Sequence, residues 1–249
     1  MNPPATVNTQ LSKRNPKEVN ALKTQELKQQ YAKGRRDFQQ TDLSEINLVW
    51  SNLSGVNLSK ANLQKAKLSA AILKKATLKE ANLQQANLRA ADLTGADLSG
   101  ADLRGADLGR ADLINTNLSG ADLRGANLKE AVLCQVNLHN ANLQQANLQG
   151  LDLNQADLSR ANLVEVNLAG ATLQEANLHC ANLRGLDMAQ VNLNGADLSQ
   201  ANLSQAKLNQ AQMYGANLSC ANLRDANLNQ TKLVGADLSQ TNLNAAQEQ

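Results

Sequence analysis

Proline and long apolar runs are scarce in this 249-residue chain, and each scarcity narrows what the protein can be. No proline follows Pro16, which suits a chain whose backbone N–H groups are needed for hydrogen bonds between strands. No apolar stretch approaches 18 residues, so we expect no contact with a membrane. Because the basic N-terminus also lacks the apolar run of a secretory signal, we predict a cytoplasmic location.

Reactive side chains are scarce as well. The cysteines Cys134, Cys180 and Cys220 suit a reducing compartment and are interpreted as small surface residues. The only histidines, His139 and His179, are expected about 10 Å apart, too far to share a zinc ion. The sequence contains no Gly-rich phosphate loop, no nucleophile beside a base and no pocket-forming insertion. We therefore predict no enzymatic activity, no metal and no cofactor.

What the chain does contain is one short repeat. Residues 36–245 divide into 42 consecutive pentapeptides without insertion or deletion. With the five positions numbered 1 to 5, position 3, the centre, is Leu in 39 repeats. Position 1 is Ala in 29 repeats, and position 2 is Asn or Asp in 34. The unit therefore reads A-[N/D]-L-x-x, as in the ADLSG of residues 96–100.

A period of five fits neither an α-helix nor a plain β-strand, so the chain must turn a corner in every repeat. Twelve of the 13 glycines after Gly34 occupy position 5. A type II turn that begins at the centre needs a positive φ at its third residue, position 5. Glycine adopts a positive φ without steric cost. Repeats with Gln, Lys or Glu at position 5 leave another turn type open. Alternation along the straight edge sends positions 1 and 3 inward and the other positions outward.

Larger residues replace the small residue at some position-1 sites. We expect them to be local packing adjustments that leave no cavity: Val136, Leu151, Val166, Leu186 and Val191. A weaker period gives the size of one coil, because Ser fills position 4 at seven of 11 sites spaced by 20 residues, against four of 31 elsewhere. Four repeats per coil make about 10.5 coils and a rod roughly 50 Å long.

The unbroken run of A-[N/D]-L-x-x units resembles the pentapeptide-repeat family over about 85% of the chain. Members of that family fold as right-handed, four-sided parallel β-helices with the centre and the small residue inside. The resemblance therefore implies an all-β solenoid. The segment LKQQYAKGRRDFQQTDLSEINL, residues 27–48, further resembles the N-terminal cap of a cyanobacterial member of the family implicated in heterocyst signalling.

The ends of such a rod expose strand edges that need covering. The sequence NPKE at residues 15–18 predicts an N-capped helix, and we assign residues 15–35 to a capping helix with Leu27 and Tyr31 against the first coil beside Phe38. Residues 1–14 are predicted to be a disordered tail.

At the other end, residues 246–249 are predicted to be a short tail. With no capping helix there, the last coil is a candidate edge for self-association, or polar residues and water blunt it.

Charge is divided unevenly along the rod. Residues 1–79 carry 14 Lys and Arg against five acids, whereas residues 80–249 carry 10 against 17. Six lysines form a basic collar after the cap: Lys60, Lys65, Lys67, Lys74, Lys75 and Lys79. The collar is either a steering surface for an acidic partner or an ordinary solvated surface. Asp residues within 92–122 are read as continuing the Asn positions, with a cation site as the alternative.

Outward apolar residues concentrate on the face centred on Leu53, Leu73 and Leu93. They are Ile72, Ile114, Val132, Cys134, Tyr214 and Val234. The other faces hold few, the larger being Val49, Trp50 and Val164. A flat, partly apolar face is suited to docking a protein, although drift on a tolerant scaffold would give the same pattern.

These patterns favour a protein-binding scaffold or regulator whose partner the sequence does not identify. The alternative is a DNA-mimicking protein that engages a type II topoisomerase such as gyrase, a role that the family resemblance brings with it. That role relies on an acidic rod, and this chain has a net charge of +2. An ice-binding Ser array has less support, because one interrupted hydroxyl per coil is a poor flat lattice. We expect no direct binding of nucleic acid.

Overall fold

The computed structural model describes residues 16–247. The predicted N-terminal tail, residues 1–14, and the last two residues of the chain lie outside this range. The first element is a helix, α1 (Pro16–Ala32), which stops before Gly34, a residue with a φ of 95°. Within residues 16–247, no helix has the length and apolar character needed to cross a bilayer.

The rest of the described chain is a solenoid in which each strand is reduced to a single bridging residue at position 2. Each bridge is parallel and joins residues 20 apart, from Asp37 with Asn57 to Asn227 with Gln247. This spacing confirms four repeats per coil, and the fold is a right-handed, four-sided β-helix as predicted. The ladder extends two residues beyond the boundary expected at residue 245. We name the faces A, B, C and D, with centres every 20 residues from Phe38, Leu43, Leu48 and Leu53 respectively.

The interior is filled by the centres and the small residues of position 1. Both positions are almost fully buried along the solenoid, from Ile46 to Leu228. Neighbouring coils place Leu78, Leu98 and Leu118 above one another on face A. Burying one Leu stabilises by about 1.5 to 3 kcal/mol, whereas ordering five residues costs roughly 5 to 10 kcal/mol of backbone entropy. Stability therefore comes from stacking, and the coils stabilise one another.

Backbone hydrogen bonds join the coils, and side-chain hydrogen bonds explain why position 2 is Asn or Asp. Along the backbone, the Leu98 N–H donates to the Asn117 carbonyl at 2.7 Å, and the Asp97 N–H donates to the Ala76 carbonyl at 2.9 Å. Within the repeat, Asp97 Oδ1 accepts the N–H of Ser99 at 3.0 Å, which satisfies a turn amide that has no ladder partner. On faces A and B, many position-2 Asn side chains also donate their amide group to the residue one coil earlier, as Asn182 does to Asn162.

Every position 5 from residue 40 to residue 245 has a positive φ. The glycines lie between 64° and 75°, which confirms the turn predicted for them, and the other residues lie between 52° and 63°. The non-glycine repeats thus place position 5 in the same left-handed region. Non-glycine residues there cost of order 1 kcal/mol each, which the stacked coils must offset.

The bridge ladder is interrupted at two sites in the described solenoid. Val132 does not pair with Asp152, and Asn167 does not pair with Asp187. Both interruptions lie directly beside a Leu at position 1, Leu151 or Leu186. An Ala-sized site that holds a Leu pushes the neighbouring coil away, the usual result of overpacking.

Val136, the valine at position 1 of its repeat, lengthens the ladder without breaking it. The Asp157 N–H still donates to the Val136 carbonyl, but at 3.4 Å, where the corresponding bond at Asp97 measures 2.9 Å. Leu151 is buried in the core and also borders a surface groove described below.

Helix α1 covers the first coil, as predicted from its sequence. Leu27 is buried in the core, and Tyr31 packs against it and donates its hydroxyl to the Ser54 carbonyl at 2.8 Å. The guanidinium of Arg36 lies over the Tyr31 ring, 3.8 Å from its centroid. On the outer side, Lys23 Nζ lies 2.9 Å from Asp42 Oδ2.

The contact between Lys23 and Asp42 gives a pH prediction. The hydrogen bond from Lys23 lowers the pKa of Asp42 from 3.8 to about 2. Because the folded pKa lies below the unfolded one, the carboxylate stabilises cap docking above about pH 4, and this contribution is lost as the pH falls through about 2. In Lys23→Met, the pKa of Asp42 followed by NMR should rise towards 3.8.

The matched reference in that titration is Asp237, whose pKa is lowered by hydrogen bonds from Ser239 at the far end of the rod. Its pKa should not change in Lys23→Met. An Asp42 pKa that stayed near 2 would show that Lys23 is not its partner in solution.

Candidate docking surfaces on the solenoid

The predicted apolar residues lie on face D, and all but Ile72 form two separate patches. Ile114, Val132 and Cys134 lie in adjacent coils and constitute the middle patch. Tyr214 and Val234 lie in adjacent coils further along and constitute the C-terminal patch. Val132 is 48% exposed and Val234 is 75% exposed, whereas Ile114 is half-buried.

The spacing of the patches matters for what can bind. Cys134 and Tyr214 are four coils apart on the same face, roughly 19 Å. Ile72 lies two coils before the middle patch and is exposed. The Tyr214 N–H donates to Asn194 Oδ1 at 3.0 Å, so this aromatic side chain projects from a fixed backbone. A partner that contacts both patches must span several coils of face D.

A groove with a volume of about 570 Å³ adjoins the middle patch. It opens where the ladder between Val132 and Asp152 is interrupted. Residues 130–134 line one wall. The other wall consists of Gly150, Leu151, Asp152, Asn154, Gln155, Gln174 and Glu175. The groove was not predicted from the sequence. The only sequence feature that points to it is Leu151, at a position where Ala is usual. Interface anchors bind in such pockets, so the groove adds a concave site to the flat face.

Acidic residues surround this groove. Glu130 bonds Arg110 at 2.6 Å, and the guanidinium holds the pKa of Glu130 below its ordinary value. Asp152 accepts the Thr172 hydroxyl at 3.3 Å. The middle patch is thus an apolar strip beside carboxylates, which suits a partner segment with apolar and basic side chains.

The basic collar divides into paired and unpaired lysines. Lys60 lies 3.4 Å from Glu80, Lys74 lies 3.0 Å from Asp92 and Lys79 lies 3.1 Å from Asp97. Lys65, Lys67 and Lys75 form no ion pair with any described residue. Exposed pairs of this kind contribute about 0 to 1 kcal/mol to stability. Their main effect is that the paired lysines offer less net positive charge to a partner than the unpaired ones.

A second groove, the cap groove, lies between α1 and the first two coils and has a volume of about 820 Å³. Helix residues form one wall, and residues from faces B and C form the other. Its lining consists of Asn20, Ala21, Thr24, Lys28, Glu45, Asn47, Val49, Trp50, Lys65 and Lys67. The groove thus gathers two collar lysines and the single Trp of the chain.

The Asp-rich stretch forms ion pairs and turn contacts. Arg104 and Arg124 each lie 2.6 Å from an oxygen of the preceding position-2 Asp, and their hydrogen bonds lower the pKa values of Asp102 and Asp122. His139 Nδ1 lies 2.8 Å from Ser159 Oγ, within the Ser positions of face A. Among residues 16–247, no group of His, Cys, Asp and Glu side chains is arranged to hold a metal ion.

These features define the class of the protein: a right-handed β-solenoid with a packed interior, whose side chains at positions 2, 4 and 5 point outward. Residues 37–69, 71–110, 111–150, 152–188, 181–219 and 221–247 match pentapeptide repeats, in eight copies. The chain therefore belongs to the pentapeptide-repeat family.

Among solved structures, the chain is similar to HetL, a pentapeptide repeat protein involved in heterocyst differentiation regulation from the cyanobacterium Nostoc sp. strain PCC 7120. The two are 38% identical, with a TM-score of 0.55 and coverage of 88% of this chain and 93% of HetL. Full-length QnrB1, a plasmid-mediated fluoroquinolone resistance protein, is 16% identical, with a TM-score of 0.38 and coverage of 86% of this chain and 93% of QnrB1. No curated protein sequence matches the chain. The likeness to HetL confirms the cyanobacterial resemblance.

Proposed function

We propose that this protein is a non-enzymatic scaffold or regulator that binds a protein partner through face D. The observation that carries the proposal is the collection of exposed apolar residues on that one face, next to a groove. Pentapeptide positions 2 and 4 are elsewhere mostly polar, so Val132 and Tyr214 are unfavourable on a surface that binds nothing. Exposed apolar residues grouped on a rigid face are typical of protein interfaces.

The regulatory part of the proposal rests on the likeness to HetL, which is involved in regulating heterocyst differentiation. This chain covers nearly the whole of HetL at 38% identity. We infer that this chain is likewise a regulator, and that it acts in the cytoplasm as a rigid surface that holds or masks another protein. The gyrase alternative stays a prediction from the sequence, and a supercoiling assay with the purified protein tests it.

The face D proposal predicts loss of partner capture when charge is placed on both patches. In Ile114→Glu with Tyr214→Glu, two carboxylates would be buried against an apolar partner surface, which is strongly unfavourable. We expect capture from a lysate of the native host to fall by at least about tenfold, with each single variant giving a smaller loss. Quantitative mass spectrometry of the captured proteins measures this loss.

The matched control places Glu at the same repeat position on the opposite face, in Gln144→Glu with Ser204→Glu. Both residues are at position 4 of face B, so the charge added to the rod is the same. This control should keep the captured proteins of the wild type. Equal capture by the face D and face B variants would refute face D as the docking surface, provided that circular dichroism shows both to be folded.

A further inference from the structure

Two residues of the cap groove, Trp50 and Lys67, are atypical of their positions in the repeat. Trp50 is 80% exposed at position 5 of its repeat, on the outer corner of the solenoid. The next two coils hold Ala70 and Ala90 at the same corner, so the solenoid does not need a large side chain there. Trp is enriched among the residues that anchor protein interfaces, so its exposure here is typical of a recognition site.

Lys67 is a second departure in the same groove. It occupies position 2 of face C, where Asn47 and Asn87 lie one coil before and one coil after it. Those two residues accept the turn N–H groups of Val49 and Arg89, at 3.3 and 3.1 Å. Lysine has no acceptor, so this turn gives up a hydrogen bond that its neighbours make.

The electrostatics of the groove follow from its lining. Lys28, Lys65 and Lys67 are exposed, and none of them forms an ion pair or a side-chain hydrogen bond with any described residue. Glu45 is the only acidic residue among the lining residues. The three ammonium groups therefore remain available to bind an anion.

We propose that the cap groove binds an acidic segment of a protein partner, with Trp50 as the apolar anchor and Lys28, Lys65 and Lys67 as the charge-pairing residues. This inference rests on the proposed function, because it adds a second contact site for the partner. Trp50 lies at the corner between faces C and D, and the bridge from Asn52 to Ile72 begins two residues further on. A partner on face D therefore meets the groove at Trp50, at the corner that face D shares with face C.

Charge favours an acidic peptide over a nucleic acid or an anionic membrane. Residues 1–79 carry a net charge of +9, but residues 80–249 carry −7. A long polyanion laid along the rod would be repelled beyond the first coils, whereas a short acidic segment contacts only the basic end. The apolar part of the groove, Val49 and Trp50, also suits a peptide side chain.

The single Trp provides a direct probe. We would titrate the full-length protein with a synthetic ten-residue peptide of Glu and Asp with a central Phe-Leu pair, and follow the Trp50 emission. The emission should shift to the blue and saturate, because the ring moves from water into a contact. A peptide with each acid replaced by its amide should give no shift. The same titration is run with a ten-nucleotide oligothymidylate and with phosphatidylserine vesicles, which represent a nucleic acid and an anionic membrane.

The decisive variants are Lys67→Asn and Lys207→Asn. Both lysines are at position 2 of face C, and both substitutions restore the residue typical of the repeat. Lys207 lies seven coils away and is paired with Asp187. Lys67→Asn should weaken peptide binding by roughly fivefold or more, whereas Lys207→Asn should leave it unchanged. Trp50→Gln, with the residue found at this corner in later coils, should weaken binding of a fluorescein-labelled peptide measured by anisotropy.

Three outcomes would overturn the inference: no emission change with the acidic peptide, equal losses in Lys67→Asn and Lys207→Asn, or tighter binding of the oligonucleotide or the vesicles. Failure here is distinguishable from failure of the face D proposal. Peptide binding at the cap groove should be unaffected by Ile114→Glu with Tyr214→Glu, and capture lost in that variant would support face D whatever the peptide result.

Discussion

Replacement of Leu98 by Ala is expected to lower the free energy of unfolding by about 2 to 5 kcal/mol. Leu98 is fully buried and lies between Leu78 and Leu118 in the face A stack. Removing it leaves a cavity that the neighbouring coils cannot close, because their spacing is held by the backbone bonds on either side. Urea denaturation followed by circular dichroism measures the loss.

Ser99→Ala is the control for that experiment. Ser99 follows Leu98 in the same repeat and faces outward, and its backbone N–H keeps its bond to Asp97 in the variant. Its effect should stay within about 0.5 kcal/mol. If Leu98→Ala were as mild as Ser99→Ala, the centre residues would not form the packed interior on which the whole fold depends.

Replacement of Leu151 by Ala is expected to close the interrupted ladder on face D. Three bonds made elsewhere are missing there: Leu133 N–H to the Asp152 carbonyl, Asp152 N–H to the Ala131 carbonyl and Gln135 N–H to the Asn154 carbonyl. Restoring them should slow hydrogen exchange at the Leu133 and Asp152 amides by roughly tenfold or more. Overall stability should change little, because the lost Leu burial of about 2 kcal/mol offsets the recovered bonds.

Leu153→Ala provides the comparison, since it removes the same side chain from the adjacent centre. Ala is the usual residue at position 1 but not at position 3, so this variant should be destabilised by several kcal/mol and should not gain protection. Unchanged exchange at Asp152 in Leu151→Ala would mean that overpacking is not the cause of the gap. Closure of the groove would also remove the concave site beside the middle patch. Partner capture by Leu151→Ala therefore shows whether the groove contributes to binding.

Most of the fold could be predicted because the residues within each repeat specify its conformation. A Leu at every fifth residue specifies the interior, and a turn-forming residue at position 5 specifies the corner. The Ser period of 20 residues indicated four sides, and the bridges between residues 20 apart confirm it. The helix beside Phe38 was predictable from ordinary capping rules. These features depend on local chemistry and on a register that never slips.

The candidate sites were predicted only in part. The apolar residues of face D follow from register alone, so the sequence placed Val132 and Tyr214 on one face. The groove beside Leu151 was not predicted, because whether an oversized side chain is absorbed or spreads the coils depends on how far the neighbouring turns yield. The charged collar was also incompletely described, since a lysine's partner depends on the residue one coil away.

The sequence by itself determined the repeat, the number of sides, the buried positions and the face on which each outward residue lies, because a fixed period converts residue number directly into position. Only the tertiary structure decided where the coils separate, which lysines are neutralised and how α1 docks. Those outcomes depend on contacts between residues remote in the chain, such as Lys23 with Asp42. No period relates such residues, so the cap groove exists only once the helix lies against the first coils.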